Sequence, residues 1–210
     1  MLRFSLFGIP VNVQPWFWIT LALLGGATGI DGREDVLSVA LFVLAGFVSV
    51  LVHELGHALT GRSFGAPTQI TLMAFGGFAS FPANAFTRKQ DFLVTAAGPA
   101  IQILLGLVFF AIYAFVPLPT TAAKMFVFWG MVISIFWAVI NLVPVIPLDG
   151  GRLVAALLGP SKRVLALQIS LVAAIAVALG MFFLMKSFLF PIFLGLMAYQ
   201  NWQELQQFRR

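Results

Sequence analysis

Long apolar runs, broken by short charged or proline-rich intervals, constrain this chain more than anything else in its sequence. About six of them are visible, near 16–30, 36–61, 92–116, 125–158, 163–185 and 187–201, against the ~20 residues that one bilayer crossing needs. With 61% hydrophobic and only 9% charged residues among 210, the chain has too much apolar side chain for the interior of a soluble domain. The expected fold is therefore an all-α polytopic membrane protein of about six transmembrane helices, folded as a single domain over 1–210. The first and last runs are short for a crossing. The fourth is too long for one straight helix, and Pro144 and Pro147 should break it, freeing backbone groups that only a buried or wet site tolerates.

Charge distribution supports the same class. The net charge of +5 is scattered between apolar segments, which fits membrane topology and not a nucleic-acid surface. With both termini cytoplasmic, Arg3, Arg62, Arg88, Lys89, Arg152, Lys162, Arg163, Arg209 and Arg210 fall inside, and Arg33, Lys124 and Lys186 outside. Asp31, Glu34 and Asp35 then occupy the first external loop. The lack of cysteine excludes disulfides and thiolate metal sites. No cleavable leader is evident in residues 1–14, and a compact chain of this kind suits a prokaryotic plasma membrane.

Two segments are neither polar loop nor plausible span. Gln69 to Phe75 and Phe78 to Phe81 predict two short strands turning at Gly76-Gly77, a hairpin over 69–81. Phe4 to Val13, with Gly8 and Pro10 in its middle, predicts another. These would be short membrane-associated β-hairpins beside the helices.

The chemistry is concentrated in His53-Glu54-Leu55-Gly56-His57, which contains both histidines of the chain. On a helix, an i, i+4 pair projects both imidazoles toward one point, where they can share a zinc ion, and the adjacent glutamate can act on a water as general base. The motif lies inside an apolar run, His57 five residues and His53 nine before Arg62, so at ~1.5 Å per residue the metal would sit roughly 10 Å below the cytoplasmic surface. A catalytic zinc usually takes three protein ligands. With no further His or Cys, the third must be a carboxylate. Asp31, Glu34 and Asp35 lie on the wrong side, Glu204 follows the last span, Glu54 is the base, and Asp91 reads as a helix N-cap. Asp149 remains, at the cytoplasmic end of a span running parallel to the histidine helix, where the prolines and Gly150-Gly151 let the backbone bend and approach closely.

His53-Glu54-Leu55-Gly56-His57 and Asn141-Leu142-Val143-Pro144-Val145-Ile146-Pro147-Leu148-Asp149-Gly150-Gly151 together resemble the two motifs of the site-2 proteases, zinc-dependent intramembrane metalloproteases. The resemblance extends over most of the chain, through Gly76-Gly77 and Ala97-Gly98-Pro99, in a form without PDZ or CBS domains. One departure is Gln102, where that family often has asparagine. The resemblance implies an endopeptidase with one Zn2+ per chain, held by His53, His57 and Asp149, with Glu54 as base. It also implies a substrate-side or oxyanion-stabilising role for Asn141, which by chemistry alone could equally satisfy backbone freed at the break.

Such an enzyme would cut single-span membrane proteins within or near their transmembrane segments, in regulated intramembrane proteolysis. A transmembrane helix must unwind first, and the 69–81 hairpin could pair with the unwound segment by strand addition, through Gln69, Ile70, Thr71, Leu72, Gly76 and Gly77. Alternatively, it only packs. Restraint is expected from a membrane partner or from the membrane domain itself. A metal transporter is the main rival, but its ionisable residues would line a path across the bilayer, and Glu54 would have no task.

Overall fold

Ile9, Val11 and Val13 alternate inward along a strand while Pro10 and Asn12 point away, and this period of two sets the face on which the N-terminal half is built. Strand β1 (Leu2–Leu6) and strand β2 (Ile9–Val13) pair antiparallel from Leu6↔Ile9 to Leu2↔Val13. The link is two residues, Phe7 and Gly8, both with positive φ, as a tight hairpin of right-handed strands requires. Pro10 is tolerated because the ladder to the next strand begins only at Val11.

Helix α1 (Pro15–Leu24) and helix α2 (Arg33–Ser63) follow, then strand β3 (Gln69–Met73) and strand β4 (Gly76–Ser80). Both predicted hairpins form, but they are not separate. β2 pairs with β3 in parallel, Val11↔Ile70 to Val13↔Leu72, giving one four-stranded sheet in the order β1-β2-β3-β4. The all-α expectation is corrected to a mostly helical fold with a small mixed sheet. The second turn is also displaced by two residues. It falls on Ala74 and Phe75 (φ 62°), while Gly76 and Gly77 open β4 and pair with Met73 and Leu72. The inward residues Ile9, Val11, Val13, Ile70 and Leu72 pack against Phe17 and Leu21 of α1 and Val50, Leu51, Leu55 and Ala58 of α2. Each fully buried large side chain of this kind stabilises the fold by about 1.5–3 kcal/mol.

Helix α3 (Arg88–Phe115) starts at a capping box. The Gln90 backbone N–H donates to Thr87 Oγ1 (3.4 Å), and Gln90 Oε1 accepts from the Thr87 N–H (2.9 Å). Thr87 is thus the N-cap, and Asp91, expected there, sits inside the first turn, where its charge still favours the helix N-terminus. Helix α4 (Thr121–Asn141) ends at the proline segment; after it come helices α5 (Asp149–Leu158), α6 (Arg163–Met185) and α7 (Leu189–Gln207). The break predicted at Pro144 and Pro147 occupies 142–148 and splits the long fourth run into α4 and α5.

These elements belong to a computed structural model that describes residues 1–186 and 188–208. Ser187, the start of the sixth predicted span, and Arg209 and Arg210, assigned above to the cytoplasmic side, lie outside the described residues. The chain divides into two units, Met1–Ala138 and Val139–Arg210. Within the second, Val145 of the break packs with Ala174 of α6 and Leu194 and Met197 of α7. Glu204 lies in the polar end of α7 and accepts from Arg163 Nε (2.8 Å) and Nη2 (3.0 Å) as a fork. Among the described residues, α2, α3, α4 and the segment Pro160–Leu184 are long and apolar enough to cross a membrane, which marks an integral membrane protein. α1 has only 10 residues, and α7 turns polar from Gln200 onward.

Candidate metal centre

His53, Glu54 and His57 are buried on α2, each 4–5% exposed. Both imidazoles are held by the nitrogen that points away from the site. His57 Nδ1–H donates to the Val94 carbonyl of α3 (2.8 Å), and His53 Nδ1–H to Gln102 Oε1 (2.9 Å). A carbonyl and an amide oxygen can only accept, so the proton of each neutral ring is on Nδ1 and each Nε2 presents a lone pair. The two Nε2 atoms face each other at 3.1 Å. Two lone pairs that close repel unless a cation lies between them. Two nitrogen ligands of one tetrahedral zinc, at bonds of about 2.0–2.1 Å, stand roughly 3.3 Å apart, so the pair already has the spacing of a shared metal.

A polar chain behind His53 fixes this arrangement. The Gln102 amide donates through Nε2 to Ser49 Oγ (2.9 Å), and the Ser134 hydroxyl also donates to Ser49 Oγ (3.1 Å). Ser49, Gln102 and Ser134 come from α2, α3 and α4, and all are fully buried. Gln102 thus belongs to the support of the metal site and is not merely a packing variant. Polar residues in apolar helices usually bond across helices, and that signal in the sequence would have picked out all three.

The Ala97-Gly98-Pro99 motif has a local reason. A Cβ on Gly98 would run into the His57 imidazole, and one on Gly56 would lie 2.6 Å from the Ala97 carbonyl oxygen. Without these glycines α2 and α3 could not come close enough for Val94 to accept from His57. Gly77 has a similar role opposite the glutamate, since a Cβ there would stand 3.0 Å from Glu54 Cγ and 2.7 Å from Leu72 Cδ2.

In the second unit, Asp149 is the first residue of α5, buried at 7% exposure. Gly150 and Gly151 follow because the start of α5 lies flat on the preceding backbone. A Cβ on Gly150 would collide with the Leu142 carbonyl, and one on Gly151 with Val145 and Ile146. Asn141 is the last residue of α4 and half-buried. The backbone freed at the break is bonded by other residues than Asn141. Ile146 N–H donates to Ser170 Oγ (2.8 Å) and the Ile146 carbonyl accepts from Asn201 Nδ2 (2.8 Å). Sequence reasoning missed both partners.

Among the described residues, His53, His57 and Asp149 are a group of side chains that could bind a metal ion. Two neutral imidazoles and one carboxylate form a hard-to-borderline donor set that suits zinc, so the residues fit the metal. The strand-pairing set needs correction. β3 is bonded to β2 over Ile70–Leu72 and to β4 along its length, so Ile70, Thr71 and Leu72 offer no free edge, and Gln69 pairs with Ser80 of β4. Among the described strands, β1 and β4 are the edges, and of the six residues only Gly76 and Gly77 lie on one.

A helical membrane protein with an HExxH donor set is the class these features define. The sequence profile of peptidase family M50 matches residues 41–120 and 116–186, and the chain belongs to that family. Rip3 of Mycobacterium tuberculosis is 36% identical over 196 residues, covering 83% of this chain and 49% of its own. A zinc metalloprotease of Methanocaldococcus jannaschii is 27% identical over 172 residues, 81% of this chain and 48% of that protein. Among solved structures, the site-2 protease of the same archaeon is similar with a TM-score of 0.64 at 23% identity, over 97% of this chain and 94% of that one; this likeness concerns the fold. The chain spans about half the length of the curated relatives it matches.

Proposed function

We propose that this chain is a zinc-dependent intramembrane endopeptidase, with His53, His57 and Asp149 as the ligands and Glu54 as the general base. The observation that carries the reading is the imidazole pair, both Nδ1 atoms engaged and both Nε2 atoms turned to one point 3.1 Å apart, with Glu54 on the same helix. Bound zinc supplies Lewis-acid polarisation of a carbonyl and makes water a nucleophile near neutral pH. Glu54 accepts the proton as the water oxygen bonds to the scissile carbonyl carbon, and gives it to the nitrogen as the C–N bond breaks. Asn141 donates to the developing oxyanion.

The substrate is a single-span membrane protein whose helix has unwound locally. Its extended segment adds to the free edge of β4. Gly77 supports that choice, because its backbone lies against Glu54 and an extended chain bonded to β4 would run past the base. The protein spans a prokaryotic plasma membrane with both termini cytoplasmic and the site toward that side. α1 with its following loop and α7 add two short crossings to the four long ones.

The test uses purified, zinc-loaded protein and a panel of single-span peptides, with and without a chelator. Cleavage that stops with chelator and in Glu54→Gln, while Glu54→Gln retains its zinc, is the expected result. Cleavage that persists in Glu54→Gln overturns the assignment of the base.

A further inference from the structure

Ser170 of α6 and Asn201 of α7 stand far from the metal ligands in sequence, in helices that carry none of them, yet both are buried, at 0% and 3% exposure. Their hydrogen bonds close on the backbone of one residue. Ile146 lies between Pro144 and Pro147, which have no N–H to give. Its own N–H donates to Ser170 Oγ (2.8 Å), and its carbonyl accepts from Asn201 Nδ2 (2.8 Å). Asn201 Nδ2 also lies 2.9 Å from Ser170 Oγ and 2.9 Å from the Met197 carbonyl, so the two side chains brace each other.

Few torsions separate this braced residue from Asp149. The ring of Pro147 fixes its φ. Leu148 N–H donates to the Val145 carbonyl (2.7 Å), and Arg152 N–H to the Leu148 carbonyl (3.0 Å). Gly150 and Gly151 lie against the 142–146 backbone, leaving no room to slide. A shift of Ile146 therefore carries Asp149 with it.

We propose that Ser170 and Asn201 are positioning residues. They clamp the Ile146 backbone on both sides of its Cα and so set where the Asp149 carboxylate stands as a metal ligand. The inference rests on the reading of Asp149 as a ligand, and its test separates the two. The full chain in detergent is titrated with zinc against a chromogenic chelator, and cobalt(II) is substituted so that its visible spectrum reports the ligand geometry.

Ser170→Ala and Asn201→Ala are expected to weaken zinc binding by about 10–100-fold, as loss of support behind a ligand typically does, and to change the cobalt spectrum. Leu194→Ala, which removes packing from the same buried face of α7 without touching the clamp, should lower the unfolding temperature and leave zinc affinity and spectrum as they are. Asp149→Ala should abolish tight binding. If Asp149→Ala weakens binding while Ser170→Ala and Asn201→Ala match the wild type, the clamp is refuted. If Leu194→Ala alters the spectrum as much as they do, their role is structural only. If Asp149→Ala leaves binding intact, the ligand assignment itself fails.

Discussion

His53 and His57 sit in the C-terminal third of a 31-residue helix, whereas Asp149 opens a 10-residue helix after seven residues without regular structure. On the histidine side the backbone is regular, and precision comes from what touches the rings: the Val94 carbonyl, Gln102, and the two serines behind it. On the aspartate side the precision lies in the main chain, with two prolines, two glycines and one residue whose N–H and carbonyl are both bonded to side chains. A rigid helix can present a side chain at a fixed depth but not bend toward a point. A broken one can bend, and must then be held.

That contrast can be tested at both ends. Removing a ligand should be the largest change. His57→Ala and Asp149→Ala are each expected to lose bound zinc on dialysis against a chelator, with peptide cleavage falling below detection. Retained zinc in either would remove that side from the site. Gly98→Ala and Gly150→Ala come next, since each puts a methyl group where the structure has an atom. Crowding of this kind costs about 1–3 kcal/mol in thermal unfolding. Gly98→Ala should also displace His57 and weaken zinc binding, and wild-type values for both readouts would show that the α2–α3 contact yields freely.

Gln102→Leu keeps bulk and removes the acceptor for His53 Nδ1–H. A fall in zinc affinity of about 10–100-fold is expected in chelator competition. Ser134→Ala, two hydrogen bonds further from the ring, should change affinity only a few-fold, because one neutral bond contributes about 0.5–1.5 kcal/mol. Equal effects would mean that the chain acts as one block. Thr87→Ala is the smallest, a loss of about 1 kcal/mol from the cap of α3 with zinc affinity unchanged.

Much of this was legible in the sequence because it is local. Helical spacing brings His53 and His57 to one face whatever surrounds them, and prolines break a helix wherever they fall, so the imidazole pair and the 142–148 break could be read directly. The strand positions were also readable from alternation. The parallel join between β2 and β3 was not, since it links residues 59 apart with no periodic signal. The displaced turn has a simple cause. Gly76-Gly77 suggested the bend, but Phe75 takes the left-handed conformation, and the glycines serve close packing on Leu72 and Glu54. Ser49, Gln102, Ser134 and Ser170 were present as polar residues within apolar runs and Asn201 in the polar end of α7, and only the tertiary fold says which partner each one has.

The parallel ladder between Val11–Val13 and Ile70–Leu72 fixes where the intervening chain must end up. Everything from residue 14 to residue 68 leaves the sheet at the end of β2 and returns to it at the start of the adjacent β3, so any outward crossing within it must be matched by a return. α2, at 31 residues, has ample length to traverse, and whatever side it starts from, the segment before it has to have reached that side. α1 contributes only about 15 Å of rise against a hydrocarbon layer of about 30 Å. In the topology proposed above, the outward crossing would be completed by residues 25–32, a glycine-rich stretch without an α-helix, and a bilayer made thinner or thicker around it would strain that link before any other.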